Sequence, residues 1–188
     1  MHYVPCGMTL PNLLTIARLL LVPVFVVLYR TGNHTAALAV FAAAAITDGL
    51  DGMLARALHQ ESRLGSILDP TADKLLTLAA LILLVSSGQI PGWLLVIVLL
   101  RDGGLVGGTL LLYFQGTRVP VVPSRFGKYA TFLLVSTVAL ALAKEMLHAR
   151  LLAPYVFAFS VIAAECVMIS GGQYFAQWLS LMRRRRIA

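Results

Sequence analysis

The 188-residue chain is 59% hydrophobic and only 12% charged, where ordinary soluble domains carry about 25% charged residues. Its apolar residues come in long runs, which excludes a conventional soluble enzyme. The net charge of +7 does not signal nucleic acid, because the basic residues gather beside those runs, where each is worth about 1 kcal/mol of attraction to an anionic leaflet.

Six apolar spans follow in chain order, at 12–29, 35–58, 67–86, 92–114, 126–143 and 151–179. One crossing takes about 20 apolar residues, so the chain holds six with short connections and no separate soluble domain. The expectation is an all-α integral membrane protein, a single membrane domain over 1–188 with six transmembrane helices. Pro11-Asn12 opens the first span and Thr31-Gly32-Asn33 closes it. The run Leu13 to Leu28 is read as a mature helix rather than a leader, since no basic stretch precedes it. Ser86-Ser87-Gly88 with Pro91-Gly92 separates the third span from the fourth, and Val119 to Ser124 with its two prolines separates the fourth from the fifth. The weakest boundary is Lys144 to Arg150.

With six spans, Arg56, Arg63, Arg118, Arg125, Lys128 and Arg183 to Arg186 fall on one side, and Arg30, Lys144 and Arg150 on the other. The excess of Lys and Arg marks the cytoplasmic side, which predicts that the N- and C-termini are both cytoplasmic.

The chemistry resides in the carboxylates. Of eight acidic residues, Asp48, Asp51, Asp69 and Asp73 lie in the second and third spans, where each charge costs about 2.5–3.5 kcal/mol near a helix centre. Asp48 and Asp51 are three apart and Asp69 and Asp73 four apart, so each pair shares a helical face. The short connection brings both pairs to one membrane boundary. Four such carboxylates cannot all ionise without compensation. An all-oxygen cluster without His or Cys suits Mg²⁺, Mn²⁺ or Ca²⁺ rather than zinc. Mg²⁺ also prefers to share its shell with substrate phosphate, and two ions would stabilise both oxygens of a displacement. Gly49, Gly52 and Ala55 allow close approach to the second helix, and Arg56 and Arg63 supply phosphate donors. A cation channel or transporter is the rival class, but it favours carboxylates spread through the membrane depth.

The string Asp48-x2-Asp51-Gly52-x2-Ala55-Arg56-x8-Gly65-x3-Asp69-x3-Asp73 resembles the signature of the CDP-alcohol phosphatidyltransferase family. Leu10-Pro11-Asn12, Arg18 and the six-span pattern extend the likeness over most of the chain. The resemblance implies transfer of a phosphatidyl group from CDP-diacylglycerol to a hydroxyl acceptor with release of CMP. It also implies two Mg²⁺ or Mn²⁺ ions, a homodimer, and a bacterial inner membrane with the active site facing the cytoplasm. Asp48, Asp51 and Asp69 would be metal ligands. Asp73 would join them and take the acceptor's proton, while Gly52, Ala55, Arg56 and Gly65 would line the CDP site.

For the acceptor, Arg118, Arg125 and Lys128 lie on the active-site side and could bind a phosphate, with Arg101 deeper in the fourth span beside Asp102. They favour glycerol 3-phosphate or a phosphatidylglycerol head group over inositol or serine. The run from Ile90-Pro91 through Arg101-Asp102 to Ser124-Arg125-Phe126-Gly127-Lys128 is similar to the branch of phosphatidylglycerophosphate synthases and CDP-lipid-type cardiolipin synthases. Where the former usually carry Thr-Gly-Leu-Arg, this chain has Gly107-Gly108-Thr109, which keeps cardiolipin synthesis in competition.

Gly103, Gly104, Gly107 and Gly108 form small-xxx-small pairs, expected to pack helices within the chain or across a dimer. Cys6 and Cys166 have no metal-ligand spacing. His2, His34, His59 and His148 are expected to be solvated or interfacial. Asn12, Thr15 and Arg18 share a face of the first helix; a diphosphate role competes with capping by Asn12 and snorkelling by Arg18.

Overall fold

The computed structural model describes the backbone of residues 10–58, 65–114 and 125–187 and the side chains of 17–47, 74–110 and 126–179. Among the described residues all regular structure is helical: α1 (Leu10–Arg30), α2 (His34–Leu58), α3 (Gly65–Ser86), α4 (Gly92–Phe114), α5 (Arg125–Met146) and α6 (Ala153–Ile187), with a 3₁₀ turn at Arg150–Leu152. The six spans read from hydropathy reappear with end shifts of a few residues, except that α6 continues past 179. Apolarity ends there, but Leu, Met and Arg remain good helix formers. Within the described residues, Gly92–Leu110, Phe126–Met146 and Arg150–Leu179 are long and apolar enough to cross a membrane; His34–Thr47 and Lys74–Ser86 are shorter apolar stretches.

Local chemistry sets the helix ends. After α1, the Asn33 amide donates to the Leu28 carbonyl at 3.0 Å and the Gly32 amide to Tyr29 at 3.1 Å, a Schellman closure. Gly32 takes its left-handed position at φ 78°, which glycine adopts without a Cβ penalty. The Asn33 side chain then accepts from the Ala36 amide at 3.2 Å and caps α2. The same closure ends α5, where Ala149 donates to Lys144 and His148 to Glu145. Here the left-handed residue is His148, at φ 48°. Within α1, Pro23 removes the bond to the Leu19 carbonyl.

The chain clusters into two compact units, Met1–Ser87 with Val138–Ala153, and Gly88–Thr137 with Pro154–Ala188. In the first, α1 packs against both α2 and α3, and α2 touches α3. The core is a stripe from each helix: Arg18, Phe25 and Tyr29 of α1, Ala37, Phe41 and Ala44 of α2, and Leu76, Ala80 and Leu83 of α3. The Phe25 and Phe41 rings sit 6.0 Å apart, facing across the antiparallel α1–α2 pair. The Tyr29 hydroxyl meets Ser87 Oγ at 2.6 Å, where α1 and α3 both end, so these two run parallel.

In the second unit the contacts between α4 and α6 advance together along both helices. Trp93 meets Phe157 edge-on at 6.5 Å, Arg101 reaches Ser170 at 3.3 Å, and Gly108 lies against the Trp178 ring. The two helices are therefore parallel. The buried hydroxyls of Thr137 and Ser160 donate to carbonyls of their own helices, which satisfies them without an interhelical partner.

Candidate active site

The four motif aspartates extend the core stripes of α2 and α3. On α2 the buried positions Ala37, Phe41 and Ala44 recur at spacings of four and three, and the next steps fall on Asp48, Asp51 and Ala55. On α3 the buried Leu76, Ala80 and Leu83 continue backwards to Asp73 and Asp69. A helix repeating every 3.6 residues keeps such positions on one side. Both acidic pairs thus occupy the backbone faces that pack around α1.

Their heights agree as well. Arg18 lies seven residues before Phe25 and Asp48 seven after Phe41, so both stand about 10 Å from the paired rings. From the Tyr29–Ser87 contact, Arg18 is about 16 Å back along α1 and Asp73 about 21 Å back along α3. Arg18 therefore stands level with Asp48 and about one turn from Asp73. It is only 2% exposed and is engaged rather than free. Snorkelling to the surface, one of the two roles its sequence position left open, does not occur. A buried guanidinium requires charge compensation.

Gly52, Ala55 and Arg56 occupy the last two turns of α2, and Gly65 is the first residue of α3. Arg118 lies outside the described residues. Arg125 opens α5, and Lys128 is exposed one turn later. Arg101 is more committed than its sequence suggested. One terminal nitrogen donates to Asp102 Oδ1 at 2.7 Å, the other to Ser170, the Tyr174 ring lies 6.0 Å away, and Gly171 leaves room for its stem. The pairing with Asp102 matches the neutralising role that adjacency suggested; Ser170 and Tyr174, some seventy residues on, carried no sequence signal.

The glycines of α4 divide. Gly108 meets Trp178, whereas added Cβ atoms at Gly103, Gly104 and Gly107 would meet nothing within 4 Å among the described residues. Among the described residues, packing accounts for Gly108 alone. His34 is partly buried beside Glu145, and His148 is exposed.

Residues 8–170 match the family model described as CDP-alcohol phosphatidyltransferase, and the chain belongs to that family. It is 31% identical to the CDP-diacylglycerol–glycerol-3-phosphate 3-phosphatidyltransferase of Bacillus subtilis, over 92% of this chain and 96% of that one. It is 38% identical to a probable phosphatidylglycerophosphate synthase of Mycobacterium tuberculosis, over 90% and 81%, and 37% identical to a putative cardiolipin synthase of Mycobacterium bovis, over 66% and 60%. The protein is thus a transferase of phospholipid biosynthesis, and the channel or transporter alternative falls away.

Proposed function

We propose that this enzyme transfers the phosphatidyl group of CDP-diacylglycerol to the hydroxyl of glycerol 3-phosphate, releasing CMP. One observation carries the site: Asp48, Asp51, Asp69 and Asp73 fall on the helical faces that continue the core stripes of α2 and α3, within about two turns of the level of the buried Arg18. An all-carboxylate donor set fits hard divalent ions, and Asp48, Asp51, Asp69 and Asp73 would hold two Mg²⁺ or Mn²⁺ ions. When bound, these ions supply charge neutralisation for the diphosphate and the departing CMP.

The remaining work belongs to the chain. Gly52, Ala55 and Gly65 leave space for the nucleotide, and Arg56 donates to its phosphates. Asp73 accepts the proton of the acceptor hydroxyl; the acceptor oxygen bonds to the lipid-side phosphorus as the bond from phosphorus to the CMP oxygen breaks. Arg118, Arg125 and Lys128 hold the acceptor's phosphate, with Arg101 deeper in α4. Six crossings, cytoplasmic termini and an active site on the inner face of a bacterial plasma membrane agree with the distribution of Lys and Arg. A homodimer is the proposed assembly.

A second acceptor, phosphatidylglycerol, is favoured by Gly107-Gly108-Thr109 in place of an arginine-bearing run, and the product would then be cardiolipin. The deciding experiment incubates purified enzyme, CDP-diacylglycerol and divalent ion with each acceptor and identifies the lipid formed. Phosphatidylglycerophosphate is expected; cardiolipin alone would replace the first assignment, and CMP release independent of either acceptor would remove both.

A further inference from the structure

A second polar cluster lies at the opposite end of the first unit. It joins the end of α1 (Tyr29), the start of α2 (His34), the residue after α3 (Ser87) and the end of α5 (Glu145). Fourteen residues separate His34 from Asp48, and fourteen separate Asp73 from Ser87, so the cluster stands about 20 Å from the aspartates and takes no part in their chemistry.

Its atoms are under-supplied with donors. The Glu145 side chain is 11% exposed, and its Oε2 lies 3.4 Å from Nδ1 of His34, itself 25% exposed. Both atoms are buried without a hydrogen-bond partner, so at this separation they stand within ion-pair reach without an aligned hydrogen bond. The Tyr29 hydroxyl lies 2.6 Å from Ser87 Oγ, where either oxygen can be the donor, and it also faces the Glu145 carboxylate. The Ser87 hydroxyl in turn donates to the Leu84 carbonyl at 3.2 Å. The group in contact with this carboxylate that is able to carry a compensating positive charge is the imidazole, which the Tyr29 ring holds edge-on at 5.3 Å. The other charged or titratable groups at this end are Arg30 on α1 and Lys144, His148 and Arg150 at and beyond the end of α5; α3 contributes none.

We propose that His34 and Glu145 form a proton-operated latch, in which the protonated imidazole fastens the end of α5 to the start of α2 and loss of that proton releases it. Histidine is the side chain whose charge ordinarily changes between about pH 5 and 8. The fastening is present on the acid side of that change and is lost as pH rises through it. The compartment sensed, the one opposite the active site, rests on the orientation proposed above; the latch itself does not.

The test is a double-mutant cycle on the full-length protein in detergent, with His34→Gln, Glu145→Gln and the pair followed by thermal unfolding at about pH 5 and about pH 8. The cycle subtracts the titration of every other group. A coupling that shifts the midpoint by about 2–4 °C at acid pH and vanishes at alkaline pH is expected. Additive effects at both pH values, or equal coupling at both, overturn the latch. His34→Lys carries a cation at either pH and is expected to abolish the dependence; retention of the wild-type profile overturns the latch as well. Should Glu145→Gln not fold, wild type, His34→Gln and His34→Lys compared at the two pH values supply the same decision. Catalytic turnover is not the readout, so failure here leaves the proposed reaction standing.

Discussion

Asp102→Asn isolates what the ion pair within α4 is worth. At 2.7 Å between Arg101 and Asp102, unit charges attract by about 6 kcal/mol at an effective dielectric of 20. Desolvation removes several kcal/mol per ion, so the intact pair is near neutral in its net contribution. Removing one partner is different, because the other charge stays where it is. The Arg101 side chain is 16% exposed and that of Asp102 29%, which places the loss at the lower end of the range for broken buried pairs, about 3 kcal/mol. For a chain of this size that corresponds to a midpoint about 6–12 °C lower. Thermal unfolding in detergent measures it, and the double variant Arg101→Met/Asp102→Leu is the control, since it leaves no orphaned charge and is expected within about 1.5 kcal/mol of the parent. If the double variant falls as far as Asp102→Asn, the loss comes from altered packing and the electrostatic account is wrong.

Four further outcomes are expected. His148→Gly relieves a left-handed non-glycine position and should stabilise by about 0.5–1 kcal/mol, read as a higher unfolding midpoint; an unchanged or lower midpoint would show that the histidine side chain compensates for its backbone. Chelation of divalent ions should abolish CMP release, with Mg²⁺ or Mn²⁺ restoring it, and full activity in excess chelator would remove the proposed metal centre. Asp73→Asn should lower turnover by about 10²-fold or more while CDP-diacylglycerol still binds; unchanged turnover would deny Asp73 the role of base. Lys128→Ala should raise the KM for glycerol 3-phosphate about tenfold, the equivalent of one charge-assisted hydrogen bond, with little change for CDP-diacylglycerol; equal changes for both substrates would remove Lys128 from the acceptor site.

Helical periodicity and hydropathy act over short stretches, and what depends on them was legible in the amino-acid order alone. The six helices follow from apolar runs, and the closure at Gly32-Asn33 follows from residue types suited to a left-handed turn and a cap. The acidic motif follows from spacings of three and four that any helix converts into a face. Which faces meet is a different matter, because partners distant in the chain share no local pattern. Only the folded arrangement buries Arg18 level with Asp48, sets Arg101 against Ser170 and brings His34 to Glu145. The parallel courses of α1 with α3 and of α4 with α6 enter the same way. Burial of a charge is decided by every helix around it, and that surrounding exists only once the chain has packed.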